Sequence, residues 1–172
     1  MHLKVGYVPF PFAPQLRRLA ENVVAAHNGA HRWDRFAPKL IASAPSSLTQ
    51  VSRYQQLYVF AFGNAADLAL FAGDDEWIEA TDLARQLREE GLTQSIRIVK
   101  LWASNSGAGG AASAAAQLKR AMIEGGFSHV SVYGYVKAVS DFTRNGHKVA
   151  ADLDAHGRPI NSFVAKSVRI RF

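Results

Sequence analysis

The 172-residue chain contains no cysteine, which excludes disulfides, thiolate metal sites, iron–sulfur clusters and a cysteine nucleophile, and leaves no redox clue to compartment. It also has no apolar run near the roughly 18–20 residues that a spanning helix needs. The opening Met-His-Leu-Lys-Val-Gly lacks the basic, apolar and small-residue succession of a secretory signal. These absences predict a soluble chain with no membrane partner, cytoplasmic or exported without a signal. What is present is 48% apolar residues. That suits a single domain over 1–172, long enough to bury about two-thirds of its unfolded surface.

Charge is unevenly spread. Residues 1–53 hold seven basic and two acidic side chains, residues 67–90 hold eight acidic (Asp67 and Asp74 among them) and two basic, and residues 97–172 hold eleven basic and four acidic. The resulting +5, −6 and +7 describe a basic protein with an acidic belt, a pattern that sets solubility and encounter with acidic partners rather than chemistry.

Apolar runs at 3–8, 57–62, 96–102 and 129–136 predict strands, the second buried on both faces. Apolar spacing of three and four predicts helices over 14–27, closed by Asn28-Gly29, and over 76–90, followed by Gly91. The alanine-rich stretch 111–124 predicts a third helix. Ser43-Ala-Pro-Ser-Ser offers a turn and a cap for a short helix towards Arg53, and 68–71 reads as a short strand or a loop. Asn145-Gly146 and Asp154-Ala-His-Gly157 signal hairpins, and 164–172 alternates as an edge strand. Strands separated by helices imply right-handed crossovers. The expected fold is α/β, a three-layer α/β/α sandwich with a mainly parallel central sheet and a C-terminal hairpin and edge-strand extension. Functional groups in such folds gather at the carboxyl edge of the sheet, which directs attention to residues 61–64, 103–110 and 133–139.

Those segments run in order as Ala-Phe-Gly-Asn, Leu-Trp-Ala-Ser-Asn-Ser-Gly and Val-Tyr-Gly-Tyr-Val-Lys-Ala-Val. Over about half the chain the succession resembles the caspase-like cysteine peptidases, particularly the self-cleaving cysteine-protease domains of large bacterial toxins. The resemblance places the family's catalytic histidine at Phe62 and its cysteine nucleophile at Ser104. A phenyl ring can move no proton and a hydroxyl is far less acidic than a thiol, so the resemblance implies a pseudoenzyme, bacterial and effector-like, that binds a peptide or protein partner. By resemblance the binding residues are Gly63, Asn105, Ser106, Gly107, Gly134, Tyr135 and Lys137, with the partner extended along the strand over 130–135. Backbone N–H groups after Ser104 are expected to stay open at a helix start, a nest for an anion. The alternative keeps an active cysteine peptidase, with cysteine as the natural residue at position 104 or a distant histidine serving Ser104.

Rival chemistries find less support. Gly107-Ala-Gly109-Gly-Ala-Ala112 fits a dinucleotide fingerprint, but the next strand carries no acid, so no cofactor is expected. No metal site is expected either: His27 and His31 are spaced i,i+4, but Asn28-Gly29 between them should break the helix that would align them. His129, His147 and His156 read as surface residues. No G-x-S-x-G elbow surrounds Ser104. Nucleic-acid binding stays open as a further alternative, since Arg17, Arg18, Arg32, Arg35 and Lys39 interleave with Trp33 and Phe36; in the competing arrangement both rings pack under the sheet.

Overall fold

A computed structural model describes residues 3–31, 33–37, 39–64, 69–73, 75–144 and 147–172; Arg32, Asp67, Leu68, Asp74 and the Asn145-Gly146 turn lie outside them. The chain is α/β, and its central sheet is built from β1 (Lys4–Val8), β2 (Ile41–Ala42), β3 (Gln56–Phe60), β6 (Ile98–Trp102), β7 (Ser131–Tyr135) and β11 (Arg169–Arg171). Their order is β11-β7-β6-β3-β1-β2, with every pair parallel except β11 on β7. β4 (Leu70–Phe71) and β5 (Trp77–Ile78) form a small antiparallel pair. β8 (Ala138–Arg144), β9 (His147–Leu153) and β10 (Pro159–Val164) form a separate antiparallel sheet.

The order turns back on itself at β1. From β1 the chain crosses through α1 (Pro14–Ala30) to β2 on one side, whereas β3, β6 and β7 step away on the other through α2 (Ala80–Glu89) and α3 (Ala114–Glu124). Right-handed crossovers in opposite directions put their helices on opposite faces. α2 and α3 pack together under one face, where Gln86 donates to the Tyr7 hydroxyl at 2.8 Å. α1 covers part of the other face, and a Cβ on Gly6 would run into Leu40 and Phe60 with Val24 of α1 behind. The three-stranded sheet packs beside α1.

Several boundaries differ from expectation for identifiable reasons. α1 runs through Asn28-Gly29 to Ala30, because Asn28 spends its amide on Phe36, donating to its carbonyl (3.1 Å) and accepting from its N–H (2.8 Å). An asparagine so engaged does not cap the helix, and the next backbone bond, His31 N–H to the His27 carbonyl, still forms. The segment 76–90 opens with β5, and its helix begins only at Ala80. Residues 45–50 make turns rather than a short helix. They are tied to the end of α2 by buried Glu90, which accepts from the hydroxyls of Ser43 and Ser47. The third helix starts at Ala114 behind a 3₁₀ turn at Gly110–Ala112, where Ser113 Oγ accepts the Ala116 N–H.

Two glycines bring backbones into contact between β7 and the loop after β6. A Cβ on Gly134 would lie 2.7 Å from both Gly107 N and Ala115 Cβ, whereas one on Gly29 would meet nothing. Gly134→Ala should therefore lower the unfolding free energy by about 1–3 kcal/mol through overpacking. Gly29→Ala should raise it by roughly 0.5–1 kcal/mol by stiffening an exposed helical position. Urea denaturation of the two variants checks the opposite signs.

Candidate functional site

β3 and β6 are adjacent and parallel, with Phe60 beside Trp102, so both deliver their ends to the same edge of the sheet. The Ala61 N–H continues the pairing to the Trp102 carbonyl at 3.3 Å. A Cβ on Gly63 would collide with the Ser104 carbonyl. Phe62 and Ser104 thus follow the ends of neighbouring strands. Phe62 is half-buried against the core and pairs its backbone with Phe71 of β4, N–H to carbonyl in both directions. Ser104 is half-buried, and its Oγ accepts the Val139 N–H at 3.1 Å.

The loop after Ser104 is closed on itself. The N–H groups of Asn105, Ser106, Gly107 and Ala108 go to the carbonyls of Lys137, Ala103, Tyr135 and Asn105 respectively. Buried Ser106 donates to the Ala103 carbonyl (2.7 Å) and accepts from Tyr135 N–H (3.2 Å). Asn105 takes a left-handed φ of 57° to make this turn. The expected nest of open N–H groups is therefore consumed at these four residues. The outer edge of β7 is also taken: β11 pairs with it antiparallel, setting Ile170 against Gly134 and Arg169 against Tyr135. A peptide cannot add along a strand whose edge the chain itself occupies. Lys137 is held by an ion pair to Asp152 and lies over the Phe163 ring.

A second cluster forms on the sheet face that α1 covers only in part. Strand register sets Lys4 beside Gln56, Tyr58 beside Lys100, Lys100 beside Tyr133, and Tyr135 beside Arg169. Alternation along each strand puts these polar residues on one face and Val5, Leu57, Val59, Val99, Leu101 and Val132 on the other. Over the polar face lies a cavity of about 370 Å³, within the usual size range for small-molecule sites. Lys4, Lys100, Lys148, Lys166 and Arg169 line it, and Asp34 is the one carboxylate among its described lining residues. Lys148 is carried in by β9, and its ammonium stands 4.7, 4.2 and 5.1 Å from the ring centres of Phe36, Tyr58 and Trp102. Trp102 is buried, and its indole N–H has no acceptor among the described residues.

The charges in this cavity are held at a cost. Burial and the nearby cations Arg169 and Lys4 pull the Lys100 amine down to about 7, although it donates to Gln56 Oε1 (2.6 Å) and Tyr58 Oη (3.0 Å). Lys148 is lowered well below its ordinary value by burial, then by Lys4 and Lys100. Burial also lowers Lys4 against the pull of its ion pair with Asp34. Burial opposes ionisation of Asp34, but the Lys4 bond wins and holds that carboxyl below the usual range.

His27 and His31, expected to be separated by a helix break at Asn28-Gly29, lie one in α1 and one at its C-cap in extended backbone, with ring centres 4.3 Å apart. His27 Nε2 lies 2.6 Å from the Asp34 carbonyl and 2.9 Å from the Lys4 amine nitrogen, so the imidazole bridges the two. Burial and the Lys148 and Lys4 cations bring its pKa to about 4. Among the described residues no group of three His, Cys, Asp or Glu is placed to hold a metal. Nor is any helix among them long and apolar enough to cross a membrane.

Sequence reading passed over this cluster because its members come from separated segments, Lys4, Lys100 and Arg169 from the central sheet, Lys148 from β9 of the second sheet and Lys166 from the turn before β11, and meet only in the tertiary structure. A signal was available in Lys4 and Lys100, two lysines set inside otherwise apolar strands. The proposed nucleic-acid patch is split differently: Phe36 is fully buried, while Trp33 is 88% exposed.

Both shifted bases favour unfolding when protons are plentiful. An unfolded imidazole binds its proton near 6.5 and the folded one near 4, so stability falls on acidification through that window. Unfolded Lys100 keeps a proton up to 10.5 that the folded chain releases near 7, so stability rises with pH between those values. Urea midpoints should climb from neutral pH to about pH 9, with a shallower climb in Lys100→Met; a flat profile would count against a buried amine. No known family model matches the chain, and no curated protein matches it in sequence.

Proposed function

We propose that the protein is a caspase-like peptidase homologue without a working catalytic pair, and that it binds a small multivalent anion such as a phosphate ester in the cationic cavity. The observation that carries the binding part is the convergence of five basic side chains on a space that, among the described residues, has a single carboxylate and is also lined by Trp102, whose indole N–H finds no acceptor among them. Like charges gathered under a lid repel one another, and an anion that enters relieves that repulsion while accepting several charge-assisted hydrogen bonds. The scaffold reading is supported by the adjacency of the Phe62 and Ser104 strand ends and by the order of the three carboxyl-edge motifs. Lack of catalysis follows from the residues themselves: Phe62 has no group that titrates, and Ser104 Oγ is engaged by the Val139 N–H. Peptide or protein partners belong to the cleft beside Ser104, whose β7 edge is already filled.

Inorganic pyrophosphate is the direct probe. Calorimetric titration should show binding that strengthens as pH falls from about 8 to 6.5, because the anion favours the protonated Lys100 amine. Lys100→Met should weaken it about tenfold, the loss expected when a charge-assisted bond worth roughly 1.5 kcal/mol disappears. Equal, weak binding by both chains would refute the cavity assignment. For the catalytic site, Phe62→His combined with Ser104→Cys should give no detectable peptide hydrolysis, since two substitutions do not restore the supporting geometry; robust turnover would show the scaffold to be poised.

A second reading, binding of a nucleic acid, is favoured only by exposed Trp33 beside exposed Arg35. Duplex affinity that falls steeply with salt and is lost in Trp33→Ala would support it over the cavity.

A further inference from the structure

Lys148 has the surroundings of a nucleophile rather than of a structural cation. Its amine reaches the cavity from β9, stands over the rings of Phe36, Tyr58 and Trp102, and makes no hydrogen bond among the described residues. The charged groups that face it are Lys4 from β1, His27 from α1, Asp34 from the loop after α1, Lys100 from β6 and Arg169 from β11. Of these, only Asp34 is an anion, and it is paired with Lys4. A lysine crowded by cations and desolvated by apolar rings gives up its proton readily, and the neutral amine is the form that attacks carbonyl carbon.

We infer that Lys148 forms an imine with aldehydes that carry an anionic group, the anion resting on the other basic residues of the cavity. This rests on the anion-binding reading above and adds a covalent step to it. The Nζ lone pair adds to the aldehyde carbon, C=N replaces C=O, and the carbonyl oxygen leaves as water with the two amine hydrogens. No oxidant or reductant takes part. Lys100, which stands over the same Tyr58 ring, is tied to Gln56 and the Tyr58 hydroxyl and supplies charge for the anion instead.

The full chain, treated with pyridoxal 5′-phosphate at neutral pH, reduced with borohydride and digested for mass spectrometry, gives the test. Lys148 should label at least about tenfold faster than exposed Lys39, since each unit of pKa depression raises the neutral fraction about tenfold. Pyridoxal without its phosphate should lose most of that preference, and Lys148→Arg should lose the label while its circular dichroism stays native. Label spread evenly over the lysines, or concentrated on Lys100, would overturn the assignment to Lys148. Pyridoxine 5′-phosphate, which has no aldehyde, separates the two readings. If it binds and Lys148 stays unlabelled, only the imine fails; if it does not bind and no site is preferred, the anion site fails with it.

Discussion

Amines under a protein lid resist their own charge. The polar face of the central sheet carries Lys4 and Lys100, β9 lowers Lys148 onto the same space, and β11 adds Arg169, yet the described wall offers only Asp34 in return. Structural ion clusters in proteins ordinarily pair their charges, because an uncompensated buried cation costs several kcal/mol. Here the imbalance is met by partial loss of protons and by three aromatic rings facing Lys148. A fold under selection for stability alone would have no use for the arrangement, because replacing buried charges by well-packed apolar residues is often neutral or stabilising. Retaining the amines makes physical sense when something negative enters.

The topology explains why the imbalance falls on this face. Helices α2 and α3 cover the opposite side fully, and the residues there are the aliphatic ones that helix packing demands. α1 covers only the β1 side of the polar face, and the three-stranded sheet beside it brings Lys148 of β9 over the rest. A sheet roof leaves more space than a helix, and that space is the cavity. The same roof touches the other site, because Val139 of β8 donates to Ser104 and Lys137 accepts from Asn105. One small sheet therefore borders both the cationic cavity and the loop that carries Ser104.

Legibility followed the range of the interactions. The strand at 57–62 could be read because burial on both faces leaves a continuous apolar run, and the strand at 96–102 because its apolar residues outweigh Arg97 and Lys100. The end of α1 could not be read, since Asn28 is spent on Phe36, eight residues later, and only tertiary structure reveals that it is unavailable as a cap. For the same reason His27 and His31 seemed separated. At residues 105–108 the expected open nest is closed by a longer-range effect: Tyr135 and Lys137 lie some thirty residues on, and their carbonyls take the N–H groups of Gly107 and Asn105.

The cavity was the least legible feature because lysine has two opposite meanings in a strand. On an edge it is a solvated guard against aggregation, and in a central strand it is an expense. Sequence periodicity does not distinguish them. Strand order does: β1, β3 and β6 all lie inside the sheet, so Lys4 and Lys100 have no edge to escape from and must face either a helix layer or a cavity. Register then aligns Lys4, Gln56, Tyr58 and Lys100 on one face, and the two lysines, the side chains best able to contact an anion, are those that propensity disfavours at these positions. Two lysines that violate local preference in separate inner strands, and converge in space with Lys148 and Arg169, are better explained by a shared ligand than by independent accidents.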